Sequence, residues 1–206
     1  METHQIAAAL ERIGLVLRSF AWNQAEESDH TPTQAQILAR LASRGPLRVG
    51  VLAEELGVKQ PTVSDSVAAL LRKGQVTREP DPQDGRVGLL RLTEQGKRLA
   101  ELVRVPPPAL TSALDALAPQ DRSAMQRGLV ALIRGLQEAR AIPVQRMCVT
   151  CAHFRPHAHE DAQAPHHCAF VDAAFGNSAL RIDCGDHEKA PEEDLAQLWA
   201  RFSNAA

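Results

Sequence analysis

QPTVSDSVAALLRKGQVTREPDPQDGRVGLLRLTEQG, residues 60–96, changes its periodicity twice. Its first part is helical: Pro61 suits a first turn, where the missing N–H has no partner to lose, and Val63, Val67, Leu70 and Leu71 fall on one side. Gln60, Thr62, Ser64, Asp65 and Ser66 are left mostly elsewhere, and Gly74 closes the helix. From Gln75 to Glu79 the period becomes that of a strand, Pro80 to Gly85 form a loop, and Arg86 to Leu92 return as a second strand. Thr93 then caps a helix that loses regularity at Pro106-Pro107-Pro108. Just upstream, Val49 to Leu56 form a short helix closed by Gly57. Two helices across a tight turn, followed by a β-hairpin, predict a helix-turn-helix with a wing.

The flanks are helical as well. Ile6, Leu10, Ile13, Leu17 and Phe20 recur at spacings of three and four, as do Met125, Leu129, Leu132 and Leu136 within a stretch from Asp121 to Ala141. Another helix begins at Thr33 behind Pro32, carries Ile37, Leu38 and Leu41, and stops at Gly45-Pro46. Taken alone, such stripes are ordinary core. On either side of a winged module they are expected to form a dimer interface. The expected fold class is mainly α with a small β component (α+β): a winged helix-turn-helix with long terminal dimerisation helices and a small C-terminal metal-stabilised module.

A second helix set into the major groove brings small polar side chains against base edges. Gln60 can make a bidentate contact to adenine, Thr62, Ser64 and Ser66 can reach bases or phosphates, and Asp65 can accept from cytosine N4. Lys59, Arg72 and Lys73 would serve phosphates. From Leu52 to Gly96 the sequence resembles the MarR family (multiple antibiotic resistance regulators), notably in DPQDGRVGLLRLTEQG at 81–96, and the order of helices extends the likeness over about residues 5–140. The resemblance implies that Arg86 enters the minor groove and Asp84 orients it, and that a homodimer built from residues 1–25 and 119–141 reads a pseudo-palindrome. Two positions depart from the family pattern. Gly85 stands where a first Arg is common, and Asp65 where a basic residue is frequent, so nonspecific attraction to DNA should be modest and specific readout proportionately larger.

Composition bounds the rest. Hydrophobic residues are 44% and charged residues 23% of 206, near the usage of globular proteins. No apolar run reaches the roughly 18 residues of a membrane span, and METHQIAAAL does not resemble a secretory signal, so a cytoplasmic protein is expected. The net charge of −2 conceals a division: residues 44–104 hold 11 Lys and Arg against 8 Asp and Glu, residues 147–206 hold 4 against 9. All four Cys and six of the eight His lie in the acidic tail. The chemistry changes near Pro143, giving an expected division into 1–142, winged helix and dimerisation, and 143–206, a cysteine- and histidine-rich module.

In a reducing compartment, clustered cysteines are more often ligands or redox thiols than disulfides. Cys148 and Cys151 form a C-x-x-C pair, and Cys168 and Cys184 follow after 16 and 15 intervening residues. Four thiolates can close a tetrahedral zinc site or hold an iron–sulfur cluster; metal-free redox thiols are the third reading. Most of the neighbouring His are expected to be solvated or to support the ligands, with His167 the best substitute ligand. Phe154, Phe170 and Phe175 should build an apolar shell. No nucleophile–base pair or phosphate loop is apparent, so no enzyme is expected. The expected function is a homodimeric regulator, a repressor, on double-stranded operator DNA, open to a small-molecule, metal or redox effector. The alternative is a metal-binding interaction protein on a winged scaffold without operator binding.

Overall fold

The computed structural model describes residues 2–82 and 88–204, which divide into two compact units, Met1–Leu110 and Thr111–Ala206. The first contains α1 (Glu2–Glu27), α2 (Pro32–Arg44), α3 (Val49–Leu56), α4 (Gln60–Arg72), β1 (Val76–Pro80), β2 (Gly88–Leu92) and α5 (Glu94–Arg104). Thr31 starts α2 through a capping box: its hydroxyl accepts from the Gln34 N–H at 3.3 Å, and the Gln34 side chain accepts from the Thr31 N–H at 3.3 Å. Gly57, at φ +65°, makes the left-handed turn between α3 and α4. The strands pair antiparallel with Val76 opposite Leu92 and Pro80 opposite Gly88. Leu47 exchanges two backbone hydrogen bonds with Leu90, at 3.1 and 2.8 Å, fixing the hairpin to the segment before α3.

Ile37, Leu38, Leu52, Val63, Leu70 and Leu90 are fully buried together, so α2, α3, α4 and the hairpin share one core. Backbone contact at the far end of the hairpin is equally tight. A Cβ on Gly96 would lie 2.0 Å from the Gln75 carbonyl oxygen, so only glycine lets α5 start this close to the base of β1. Thr93 secures the same corner by accepting from the Gly96 N–H at 3.1 Å and donating to the Gly74 carbonyl at 2.8 Å.

After α6 (Pro108–Asp115), which carries the division, the second unit holds α7 (Pro119–Glu138), a 3-10 turn at Cys148–Thr150, β3 (Phe154–Arg155), β4 (His166–Cys168), β5 (Ala173–Phe175), a 3-10 turn at Asn177–Ala179, and α8 (Glu192–Asn204). The three short strands form an antiparallel sheet in sequence order. Val130 of α7 is buried with Met147, Val149, Phe154, Leu180 and Phe202. Position 143 therefore marks a change of chemistry, whereas packing places α7 with the cysteine-rich segment. Three polar contacts strengthen that union. Gln126 donates to the Leu180 carbonyl at 2.6 Å, Arg127 donates to the Ser203 carbonyl at 3.1 Å, and the Arg134 guanidinium lies 4.4 Å from the Trp199 ring centre.

Candidate nucleic-acid interface and cysteine centre

On α4, Val63, Val67 and Leu70 face the core, and Gln60, Thr62, Ser64, Asp65 and Arg72 are exposed, with Lys59 exposed at the N-cap. Gln60, Ser64, Ala68 and Arg72 lie four residues apart on one exposed stripe. Ala68 was not expected among the readers; its methyl is suited to a thymine methyl, and its signal in the sequence is a small apolar residue on an otherwise polar face. Ser66 corrects the expected set: it is buried with Val63 and Val67, so its hydroxyl is not presented with the others. Lys73 is partly withdrawn, donating to the Asp29 carbonyl and to its Oδ2 at 3.1 Å.

Asp84 and Arg86, the wing residues implied by the family resemblance, lie outside the described residues. The base of the wing is defined. Asp81 is buried, and its carboxylate accepts from both Nε, at 2.9 Å, and Nη2 of Arg48, the residue that precedes α3. On β1 the exposed Arg78 lies across Gly88, where a Cβ would stand 2.7 Å from its Cγ and Cδ. Arg91 is engaged with Glu79 at 2.9 Å. Arg78 is a second cation on the hairpin, placed mid-strand opposite Leu90, its signal in the sequence being an Arg between the polar Thr77 and Glu79.

The second unit gathers all four free cysteines, which sequence alone leaves scattered over separate loops. Cys148, Cys151, Cys168 and Cys184 line one cavity of about 170 Å³, walled further by Phe154, Phe170 and Phe175. The 3-10 turn folds Cys148 and Cys151 toward each other, the Cys151 N–H donating to the Cys148 carbonyl at 2.9 Å. Cys168 arrives at the end of β4 and Cys184 on the loop after β5. Arg181 serves two sulfurs: its N–H points at Cys148 Sγ at 3.3 Å and its guanidinium at Cys184 Sγ at 3.7 Å. Burial pushes the Cys148 thiol pKa up, against the Arg181 N–H, which lowers it. Among the described residues no three His, Cys, Asp or Glu side chains already converge closely enough to hold one ion.

The histidines divide by role. His166 is fully buried among Phe154, Phe175 and Phe202, with its Nδ1 accepting from the His157 N–H at 3.3 Å and its Nε2 2.9 Å from Asn177 Oδ1. Burial pushes its pKa down, so the neutral ring belongs to the core. His167, expected as the best substitute ligand, instead meets Asp172 at 3.3 Å and His159 at 3.3 Å.

The model of the MarR family matches residues 28–87. The uncharacterized helix-turn-helix transcriptional regulator YfiV of Bacillus subtilis is 28% identical over 113 residues, 54% of this chain and 71% of that protein. Two further helix-turn-helix regulators align over only 44% and 50% of their own length. Among solved structures, a MarR family protein from Bacillus stearothermophilus has a TM-score of 0.58 at 24% identity, covering 66% of this chain and 95% of its own. A complex of S. aureus MepR with DNA has a TM-score of 0.51 at 24% identity, covering 64% of this chain and 97% of its own. No helix among the described residues is long and apolar enough to cross a membrane. Residues 28–87 are thus similar to the MarR family, the relatives that align with the chain are named helix-turn-helix transcriptional regulators, and the described fold is that of the winged-helix structures.

Proposed function

We propose that the chain acts as a homodimer on pseudo-palindromic double-stranded DNA, with α4 reading the major groove and the wing carrying Asp84 and Arg86 to the minor groove. The observation that carries this reading is the exposed stripe of Gln60, Ser64, Ala68 and Arg72, held outward by buried Val63, Val67 and Leu70. Thr62 and Asp65 flank it, and Lys59 and Arg72 stand at its two ends for phosphates. The solved complex of the similarly folded S. aureus MepR with DNA supports DNA as the partner. A dimer seated across an operator excludes other proteins from that DNA, which favours repression over activation.

The homodimer is supported by apolar side chains that the single chain leaves exposed: Ile6, Ile13 and Leu17 on α1, and Met125, Leu132 and Leu136 on α7. The four cysteines are proposed to bind a metal centre, zinc or iron–sulfur, and to make the regulator responsive to metal or redox state in a cytoplasmic setting. The convergence of four thiols on one cavity supports this part. The titration of labelled upstream DNA against unrelated DNA of equal length tests the regulator. A preference of at least about tenfold for the upstream site is expected, and equal affinity favours the alternative of a metal-binding interaction protein, for which the exposed Asp65 speaks.

A further inference from the structure

Resting on the proposed docking on DNA, we infer that Arg78 holds a backbone phosphate on the strand that separates the major groove entered by α4 from the minor groove entered by the wing. The place of Arg78 in the hairpin carries the inference. Side chains alternate between the two faces of a strand, so Arg78 shares a face with Val76 on β1 and with Leu90 and Leu92, the residues opposite Arg78 and Val76 on β2. These three apolar neighbours are buried in the core that also takes Val63, Val67 and Leu70 of α4. The face that carries Arg78 is therefore the one turned toward the recognition helix. Arg78 lies just beyond that core and is exposed. Neighbouring grooves of a duplex are divided by a single sugar–phosphate strand, so a cation on this face, between α4 and the outer end of the hairpin, comes over that strand.

The side chain also runs outward along the wing. Gly88 pairs with Pro80, two residues farther from the base of the hairpin than Arg78. A Cβ on Gly88 would stand 2.7 Å from both Cγ and Cδ of Arg78 and 3.3 Å from its Nε, so the stem lies across the glycine and carries the guanidinium with it. A glycine inside a strand weakens that strand and marks the close approach of another group, which here is the Arg78 stem. The carboxylates nearest in sequence are committed to other cations: Glu79, on the opposite face, meets Arg91 at 2.9 Å, and Asp81 meets Arg48. The Arg78 guanidinium thus offers a planar fork that matches two phosphate oxygens. A phosphate contact carries no base identity, so Arg78 adds affinity on any sequence, in contrast to Gln60 and Ser64.

The test titrates the full chain against labelled upstream DNA and unrelated DNA of equal length over a range of salt concentrations. Arg78→Gln should weaken both DNAs by a similar factor, at least about threefold at low salt, and lower the slope of log affinity against log salt by about one per bound subunit. Arg78→Lys, which keeps the charge without the fork, should keep that slope. Gly88→Ala should reproduce part of the loss, because the added carbon pushes the flexible stem aside, and should add nothing in the Arg78→Gln background. Since Arg78 is exposed, its variants should unfold at the wild-type temperature. Wild-type protein that binds neither DNA overturns the DNA reading and this contact with it. Wild-type binding that Arg78→Gln leaves unchanged overturns the phosphate contact alone, as does a loss confined to upstream DNA or one matched by a lower unfolding temperature. Equal losses from Gly88→Ala with and without Arg78 overturn the part assigned to the glycine.

Discussion

Asp81 and Arg48 tie the mouth of the wing to the start of the helix-turn-helix: the buried carboxylate takes two donors from one guanidinium, with Nε at 2.9 Å. Asp81 opens the loop toward the wing tip, and Arg48 precedes α3, so one pair sets the direction in which the hairpin leaves the core. The Arg48 side chain is 42% exposed and the Asp81 side chain 8%, which places the pair between the surface and interior limits. Asp81→Ala should destabilise the winged unit by about 1–2 kcal/mol and weaken specific DNA binding. Denaturant titration alongside DNA titration checks this, and unchanged stability and affinity would show that the pair does not position the wing.

Gln60→Ala and Ser64→Ala should each reduce discrimination between upstream and unrelated DNA by about 1–3 kcal/mol. Ser66→Ala should leave that discrimination unaltered, because Ser66 lies on the buried side of α4. Arg86→Ala should weaken binding by about 1–3 kcal/mol without dissociating the dimer. Comparative anisotropy titrations check all four variants. If Gln60→Ala weakens both DNAs equally, the residue contacts backbone and does not read bases.

Leu17→Glu combined with Leu132→Glu should convert the dimer to monomer, since both side chains are exposed in the single chain and lie on the apolar sides of α1 and α7. Sedimentation velocity gives the answer. A soluble, intact dimer would place the subunit interface elsewhere.

Gly96→Ala should cost about 1–3 kcal/mol, because the added carbon meets the Gln75 carbonyl, a backbone atom that cannot turn aside. Gly50→Ala in α3, where nothing lies within 4 Å, should be neutral or stabilising by up to about 1 kcal/mol. Thermal unfolding of the pair separates a required close approach from general intolerance of substitution.

The periods of residues 60–96 made the helix-turn-helix and hairpin legible, because the buried positions Val63, Val67 and Leu70 are set by local geometry alone. The exposed stripe was legible apart from Ala68, whose apolar character hides it among core residues. Ser66 was misplaced because it sits beside the apolar seam, where one helical step separates base-facing from buried. The Arg48–Asp81 pair spans 33 positions, and no periodicity signals such a contact. In the tail the clustering of cysteines was legible, but its architecture was not. Its core borrows Val130 from α7, and His166, one of a run of histidines, turns inward where His167 beside it turns outward.

The shared use of α7 bears on how the cysteine module can be inherited or lost. One side of that helix supplies Val130, Gln126, Arg127 and Arg134 to the module, while the neighbouring side keeps Leu132 and Leu136 exposed. A stop codon near position 142 would not excise a removable pendant. It would uncover Val130 and Ile133 and leave α7 apolar on two adjoining sides, a sticky rod ready to aggregate. A chain that shed the module would therefore have to repaint the helix with polar residues at the same time, so an apolar side at the positions of Val130 and Ile133 persists only where a module covers it.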